Sequence, residues 1–457
     1  MIYKKSKSLL EEALKYVAGG VNGRLGTFNH YASGDTPLYI KNAKGSKIFD
    51  VDGNEFIDYQ AALGAIVLGY SHDSVNQAVK DQIDQVSVTG MNSELETEVA
   101  KKIINDVPCA EQVIFSNTGT EATSMCLRIA RAHSGKNKII KFEGVYHGWA
   151  DWGRVDISNE ALALGGLSGG GSRLSPIKTI MEAGIPESVM NDLIIVPWND
   201  PHTFEEIVKR HQHEIAGVLV EPIGPYGLIL PKENYLQTIK EICSKYGIIL
   251  IFDEVKSGFR VSLGGGMEYF GVTPDLAAFG KAVANGFPIA LIAGNKDVMQ
   301  TVAKNQVFHI STFAGNPVSL AASKATLNEL EKPNTYTHLY TKMKKLASGI
   351  NDLISDQNVD AVLFGTGKNL SKPGPMFGIF FTKNENINDM RELRLEMNEH
   401  NNLRTESFQN ALLKRGVHLR TTLGPQFVLS DHTNEDLDKT LEAIDYAFKY
   451  ASSIHTG

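Results

Sequence analysis

From about Ser93 to Leu327 the chain alternates short apolar runs with helical patterns of roughly ten to fifteen residues. The runs are Gln112–Ser116, Lys138–Phe142, Leu193–Val196, Gly217–Glu221, Ile248–Asp253, Leu276–Phe279 and Ile289–Ala293. Most are apolar at successive positions, the pattern of strands buried on both faces in a parallel sheet covered by helices. Ahead of them, an amphipathic segment at Leu9–Val17 precedes two short strands within Lys47–Asp58, joined through Asp52-Gly53-Asn54, whose turn chemistry predicts a hairpin. Behind them, a helical pattern within Ser311–Leu327 leads the chain out of the sheet. The remainder predicts a Gly/Pro/Lys-rich loop at Gly365–Pro375, a strand at Met376–Thr382, a helix at Glu406–Arg415 and a strand around Gln426–Leu429. A closing helix at Asn434–Ala451 carries Thr433 and Asp436 as a cap pair. The expected organisation is α/β: an N-terminal segment, 1–55, packs with a small domain. A large domain, 56–327, holds a mostly parallel seven-stranded sheet, and a smaller α/β domain occupies 328–457.

Length supports that division, because 457 residues exceed what one hydrophobic core usually serves. Hydrophobic residues at 42% and charged residues at 21% describe an ordinary globular chain rather than a disordered one. The formal charge of -7, without a long basic block, argues against nucleic acid as a partner. Cys109, Cys126 and Cys243 are too scattered for a disulfide framework or a metal cluster, which fits a reducing cytoplasm. The opening Met-Ile-Tyr-Lys-Lys-Ser-Lys has no apolar core with a cleavage site, so no secretory signal is expected. The longest non-polar stretch, Ala61–Tyr70, is about half of a membrane span, so no membrane partner is expected either.

Candidate chemistry sits at the ends of the apolar runs. Lys281 follows Leu276–Gly280 and stands among small residues, where desolvation lowers an amine's pKa and favours the neutral form that attacks carbonyls. Asp253 ends a second run. A lysine that forms a Schiff base, with an aspartate on a pyridinium nitrogen, is the signature of pyridoxal phosphate chemistry. In Val113–Ala130, a strand, a turn containing Gly119 and a helix offer free N–H groups and the Thr120 hydroxyl to a phosphate. The alternative is that Thr118 or Thr120 merely caps the helix. Tyr146 can stack on a cofactor ring with His147 beside it, while Trp149 and Trp152 can wall a substrate space; packed core is the other reading. Glu221 either pairs structurally or faces the site. The Gly-rich spots Ser168–Ser172 and Gly264–Gly266 lie outside any strand-to-helix turn and are expected to be mobile loops. Neither a dinucleotide fingerprint nor a Walker motif is present, against a nucleotide-binding protein.

Taken together and in order, Gly19-Gly-Val-Asn22, Asp50-Val-Asp-Gly-Asn54, Thr118-Gly-Thr-Glu-Ala122, Phe142-Glu-Gly-Val-Tyr-His-Gly148, Val220-Glu-Pro222, Phe252-Asp-Glu-Val255, Gly280-Lys281 and Thr312-Phe-Ala-Gly-Asn-Pro317 resemble the class III pyridoxal-phosphate aminotransferases. The resemblance spans nearly the whole chain and is strongest to the branch similar to glutamate-1-semialdehyde 2,1-aminomutase. It implies the fold type I of these transferases, with Lys281 holding the cofactor as a Schiff base and Asp253 pairing with the ring nitrogen. It further implies Gly119 and Thr120 on the phosphate and Val255 and Tyr146 on opposite ring faces; His147 and Glu221 are expected beside the cofactor from their places at strand ends. Thr312 is implied to reach the phosphate of the neighbouring subunit in an obligate homodimer with shared sites. The aminomutase pattern is not kept throughout. Its pocket tryptophan is Leu63 here, its second histidine is Trp149, its N-terminal arginine falls at Gly26 with Arg24 two residues earlier, and Leu419–Phe427 lacks its acidic loop. Arg24 resembles the carboxylate clamp of aminotransferases acting on β-amino acids, Arg420 is a second candidate clamp, and an ordinary salt bridge is the alternative for either. The expectation is amino transfer from an acidic amino compound, α or non-α, to a keto or aldehyde acceptor. Intramolecular amino transfer and a lyase reaction on the same scaffold are the alternatives.

Overall fold

The computed structural model describes residues 3–20, 39–157, 170–365, 374–419 and 424–452. At its centre is a seven-stranded sheet of β1 (Gln112–Ser116), β2 (Lys138–Phe142), β3 (Leu193–Val196), β4 (Ile215–Val220), β5 (Ile249–Asp253), β6 (Leu276–Phe279) and β7 (Ala290–Gly294), ordered β3-β2-β4-β5-β6-β7-β1. Every pairing from β3 to β6 is parallel, whereas β7 runs antiparallel between β6 and β1. The reason lies in chain length: residues 280–289 join β6 to β7, fewer than the dozen or more that a parallel crossover needs. Strands β4 to β7 are buried along their whole length, which is why their runs read as continuously apolar. On one face helix α1 (Gly119–Ser134) lays Ala122, Cys126, Ile129 and Ala130 against Leu219, Ile251 and Ala278 of the sheet. The other face is filled by rings, with Trp198 edge-on to Phe142 and Tyr235.

The predicted hairpin forms, Lys47–Asp50 pairing with Glu55–Asp58, and the second of these strands pairs in parallel with Val417–His418. N-terminal and C-terminal segments therefore share one sheet. Helix α2 (Pro317–Leu330) begins later than the pattern from Ser311 predicts, because the Asn316 side chain caps it and Pro317 takes the first position. After it come α3 (Thr335–Asp356), an antiparallel sheet of Val362–Phe364, Met376–Phe380 and Gln426–Phe427, α4 (Glu399–Lys414) and α5 (Asn434–Ser452). Helix α4 starts seven residues before the predicted Glu406, since the Asn398 side chain accepts the Asn401 N–H at 2.9 Å and starts a turn too polar to read as helix. The Thr433 and Asp436 cap of α5 is reciprocal, at 2.9 and 3.1 Å.

Two loop expectations need correction. Gly264–Gly266 is no mobile loop: it is a buried helix start, held by the Glu254 carboxylate accepting the Gly266 and Met267 N–H groups at 2.8 Å each. In the other Gly-rich spot, Gly171–Ser172 pairs with Ser175–Pro176, while 168–169 lie outside the described residues, as does most of the predicted loop at Gly365–Pro375. Among the described residues no helix is long and apolar enough to cross a membrane, and all three cysteines are buried free thiols.

Candidate active site

The carboxyl ends of β2, β4, β5 and β6 and the start of α1 surround a cavity of about 300 Å³. Asp253, the last residue of β5, is 4% exposed there and engaged on both oxygens. Oδ2 accepts from His147 Nδ1 at 2.6 Å and Oδ1 from the Val255 N–H at 3.0 Å. The geometry places the His147 proton on Nδ1, because a carboxylate only accepts. His147 Nε2 is then a buried ring atom without a partner among the described residues. Trp152 stacks behind that ring with centroids 6.2 Å apart, its indole N–H donated to Ser124 at 3.1 Å. It therefore supports His147 and does not wall the cavity.

At the start of α1 the two threonines divide the work. Thr118 is the cap: its hydroxyl accepts the Glu121 N–H at 3.2 Å, and Glu121 reaches back to the Thr118 and Asn117 N–H groups. That leaves Thr120 facing the cavity, where its hydroxyl meets the Trp149 N–H at 3.4 Å. A side chain on Gly119 would strike Val255 Cγ1 at 2.8 Å, so only glycine lets the backbone come this close.

Lys281 opens the turn after β6 in a left-handed conformation, φ 48°, and points into the same cavity. Its amine is lowered to about 8, chiefly by burial and then by the Lys256 ammonium, while Asp253 and Glu221 pull the other way. Lys256 pairs with Glu221 at 3.1 Å. The second Glu221 oxygen is buried without a partner among the described residues, and burial raises that carboxyl despite Lys256 and His147.

Of the residues singled out from sequence, the fold gathers Gly119, Thr120, Tyr146, His147, Glu221, Asp253, Val255 and Lys281 around one space. Tyr146 keeps about half its surface open, with the Arg154 guanidinium 5.8 Å from its ring centre. Trp149 is 74% exposed and outside the cavity lining, and Thr312 is also exposed outside it. Arg24 and Arg420 lie outside the described residues. Leu63 belongs to a left-handed turn, Ala61–Leu63, and it is Ala65 beyond it that lines the cavity. Lys256, Asn117, Thr123 and Phe287 line the cavity too and were not anticipated. For Lys256 a signal existed, its place three residues after Asp253, but an isolated lysine ordinarily reads as solvated surface.

A sheet of this order, with a lysine after β6 and an aspartate ending β5, defines a pyridoxal-phosphate-dependent transferase of fold type I. The family model for class III aminotransferases matches residues 30–447, and the chain belongs to that family. Over 448 residues it is 37% identical to the glutamate-1-semialdehyde 2,1-aminomutase of Thermodesulfovibrio yellowstonii, covering 97% of this chain and 99% of the relative. The aminomutase of Methanocaldococcus jannaschii is 38% identical over 451 residues, covering 97% and 98%. Among solved structures, an omega-transaminase from Sphaerobacter thermophilus superposes with a TM-score of 0.88 at 28% identity, over 99% of both chains.

Pyridoxal phosphate is the cofactor of this family, and the site fits it. A helix start with N–H groups unpaired within the helix suits a phosphate. The clash that a side chain on Gly119 would cause marks a backbone brought close, and the buried His147 Nε2 and Glu221 Oε2 have no hydrogen-bond partner among the described residues.

Proposed function

We propose that this chain transfers an amino group from an acidic amino compound, α or non-α, to a keto or aldehyde acceptor. The observation that carries it is the pairing in one cavity of a lysine amine lowered to about 8 with an aspartate held by His147. Pyridoxal phosphate, when bound, supplies a carbonyl that condenses with amines and a ring that takes up electron density from the carbon losing its proton. Gly119, Thr120 and the positive end of α1 hold its phosphate. Asp253 keeps a proton on the ring nitrogen while His147 keeps Asp253 in place, and Val255 and Tyr146 supply apolar and aromatic walls. Lys281 Nζ would hold the cofactor and, once free, would take up the substrate proton and give it back.

For the substrate, Arg24 and Arg420 are the proposed carboxylate clamps, with Trp149 at the rim. For the assembly, the reading is a cytoplasmic homodimer in which Thr312 serves the neighbouring subunit's site, with exposed Phe308, Ile310 and Phe313 around it supplying apolar surface. For the chain, it is the division into 1–55, 56–327 and 328–457; the strand Glu55–Asp58, which pairs with Val417–His418, straddles the first of these boundaries.

Intramolecular amino transfer is the second reading, favoured by the names of the relatives at 37–38% identity. Leu63, Trp149 and the absence of a carboxylate from Leu419–Phe427 favour the first. Incubating the holoenzyme with a panel of amino compounds separates them. Stoichiometric conversion of the cofactor to its amine form supports transamination, and a rearranged product supports mutation. Ammonia release with the cofactor unchanged points to elimination and overturns both.

A further inference from the structure

Lys256 is a second lysine in the cavity that holds Lys281, and the chain is built to keep it there. Its side chain is 17% exposed and its Nζ lies 3.1 Å from Glu221 Oε1, a carboxylate 4% exposed at the residue level. Gly227, at φ 71°, lies opposite its stem, and a side chain there would come within 2.7 Å of Lys256 Cδ. A lysine that served only solubility would need no buried counter-ion.

Building on the reading that Lys281 is the reacting amine, we propose that Lys256 is a positioning residue acting through Lys281. Pinned by Glu221, its fixed positive charge favours the uncharged Lys281 amine, the form that combines with a carbonyl. The physical cause is like-charge repulsion in a space where water screens poorly. The groups that act on Lys281 are Lys256 and Arg260 from the segment after β5, Asp253 at the end of β5 and Glu221 after β4. His147 and Tyr146, from the segment after β2, face the same cavity. Burial is the leading cause of the lowered Lys281 pKa, and Lys256 ranks second and ahead of both carboxylates. Glu221 opposes it, so the pair is a balance: the carboxylate that anchors Lys256 also offsets part of its charge.

The test is the pH titration of the visible absorbance of the holoenzyme, whose midpoint reports protonation at Lys281 Nζ. Lys256→Met keeps the length of the stem and removes the charge, and should raise the midpoint by about one pH unit. Lys256→Arg keeps the charge and should stay with the wild type, and Glu221→Gln should lower the midpoint. A purely structural role would move the melting temperature without separating these three variants. An unmoved midpoint in Lys256→Met, or an arginine variant that shifts as far as the methionine one, overturns the proposal. If Lys256→Met does not fold, Lys256→Gln takes its place under the same criteria. Borohydride reduction and peptide mapping of the same holoenzymes separate this inference from the reading beneath it. Label on Lys281 with an unmoved midpoint overturns the Lys256 role alone, whereas label on another lysine overturns the assignment of the reacting amine.

Discussion

Asp253 shows how little freedom the site leaves a single side chain, with one oxygen against His147 Nδ1 at 2.6 Å and the other against the Val255 N–H at 3.0 Å. In Asp253→Asn the single amide oxygen can accept from His147 Nδ1 or from the Val255 N–H but not from both, and on the proposed reading the ring nitrogen loses its counter-charge. Turnover should fall at least about 100-fold, while stability should drop by only about 1–3 kcal/mol, the worth of a charged hydrogen bond. Single-turnover kinetics beside a thermal melt checks this, and near-normal turnover would place another carboxylate under the ring. At Lys281 the folded pKa of about 8 lies below the 10.5 of an ordinary lysine, so folding disfavours the charged amine. The cost is fully present below pH 8 and is relieved as pH rises toward 10.5, because there the unfolded chain binds more protons. Cofactor-free Lys281→Met should therefore be more stable than wild type at pH 7, by on the order of 1–3 kcal/mol, with the gap closing above pH 8. Denaturant melts across that range decide it, and a pH-independent gap would contradict the buried-charge account. Both residues were legible because each ends an apolar run on a reactive group. Lys256 was not, because its meaning comes from Glu221 35 positions away, a contact no local pattern encodes.

The start of α1 tests the same reasoning one level up. Thr118 and Thr120 are two residues apart, and sequence alone could assign the cap to either. The structure gives Thr118 the cap and turns Thr120 to the cavity. Thr118→Ala should cost about 1 kcal/mol of stability through loss of the capping box. Thr120→Ala should leave the melt nearly unchanged and weaken retention of pyridoxal phosphate, measured by cofactor release on dialysis. The opposite pattern would reverse the assignment. The antiparallel course of β7 belongs to this scale too: its apolar run looks like the others, and only the short link from β6 sets its direction.

Across the whole molecule, the loop bearing Tyr146 and His147 is tied to the C-terminal part of the chain by a buried pair. Arg391, on the helix Met390–Glu396, donates to Glu143 from Nε at 2.9 Å and from Nη2 at 2.7 Å, and both residues are almost fully enclosed. Burial raises the Glu143 carboxyl, and the Arg391 guanidinium opposes that rise. Gly144 beside it adopts φ 72°, and a side chain there would run into Met390. Arg391→Met should destabilise the fold by about 3–5 kcal/mol, because it leaves a carboxylate buried without a partner. The double variant with Glu143→Gln should recover much of that loss, and a double variant as unstable as the single would show that packing, not charge, holds the contact.

Strand positions, the hairpin and the cap of α5 were settled by local physics, because burial on two faces, turn chemistry and capping are written in neighbouring residues. The approximate places of Lys281, Asp253 and the turn at Gly119 came with them, since parallel strands present their carboxyl ends on one edge. What only the tertiary structure decided is which distant side chains share a charge: His147 with Asp253, Glu221 with Lys256 and Glu143 with Arg391. Electrostatic partners are chosen by distance in space and by the exclusion of water. Neither quantity exists until β2, β4 and β5 lie side by side and the helix Met390–Glu396 closes over the loop that follows β2.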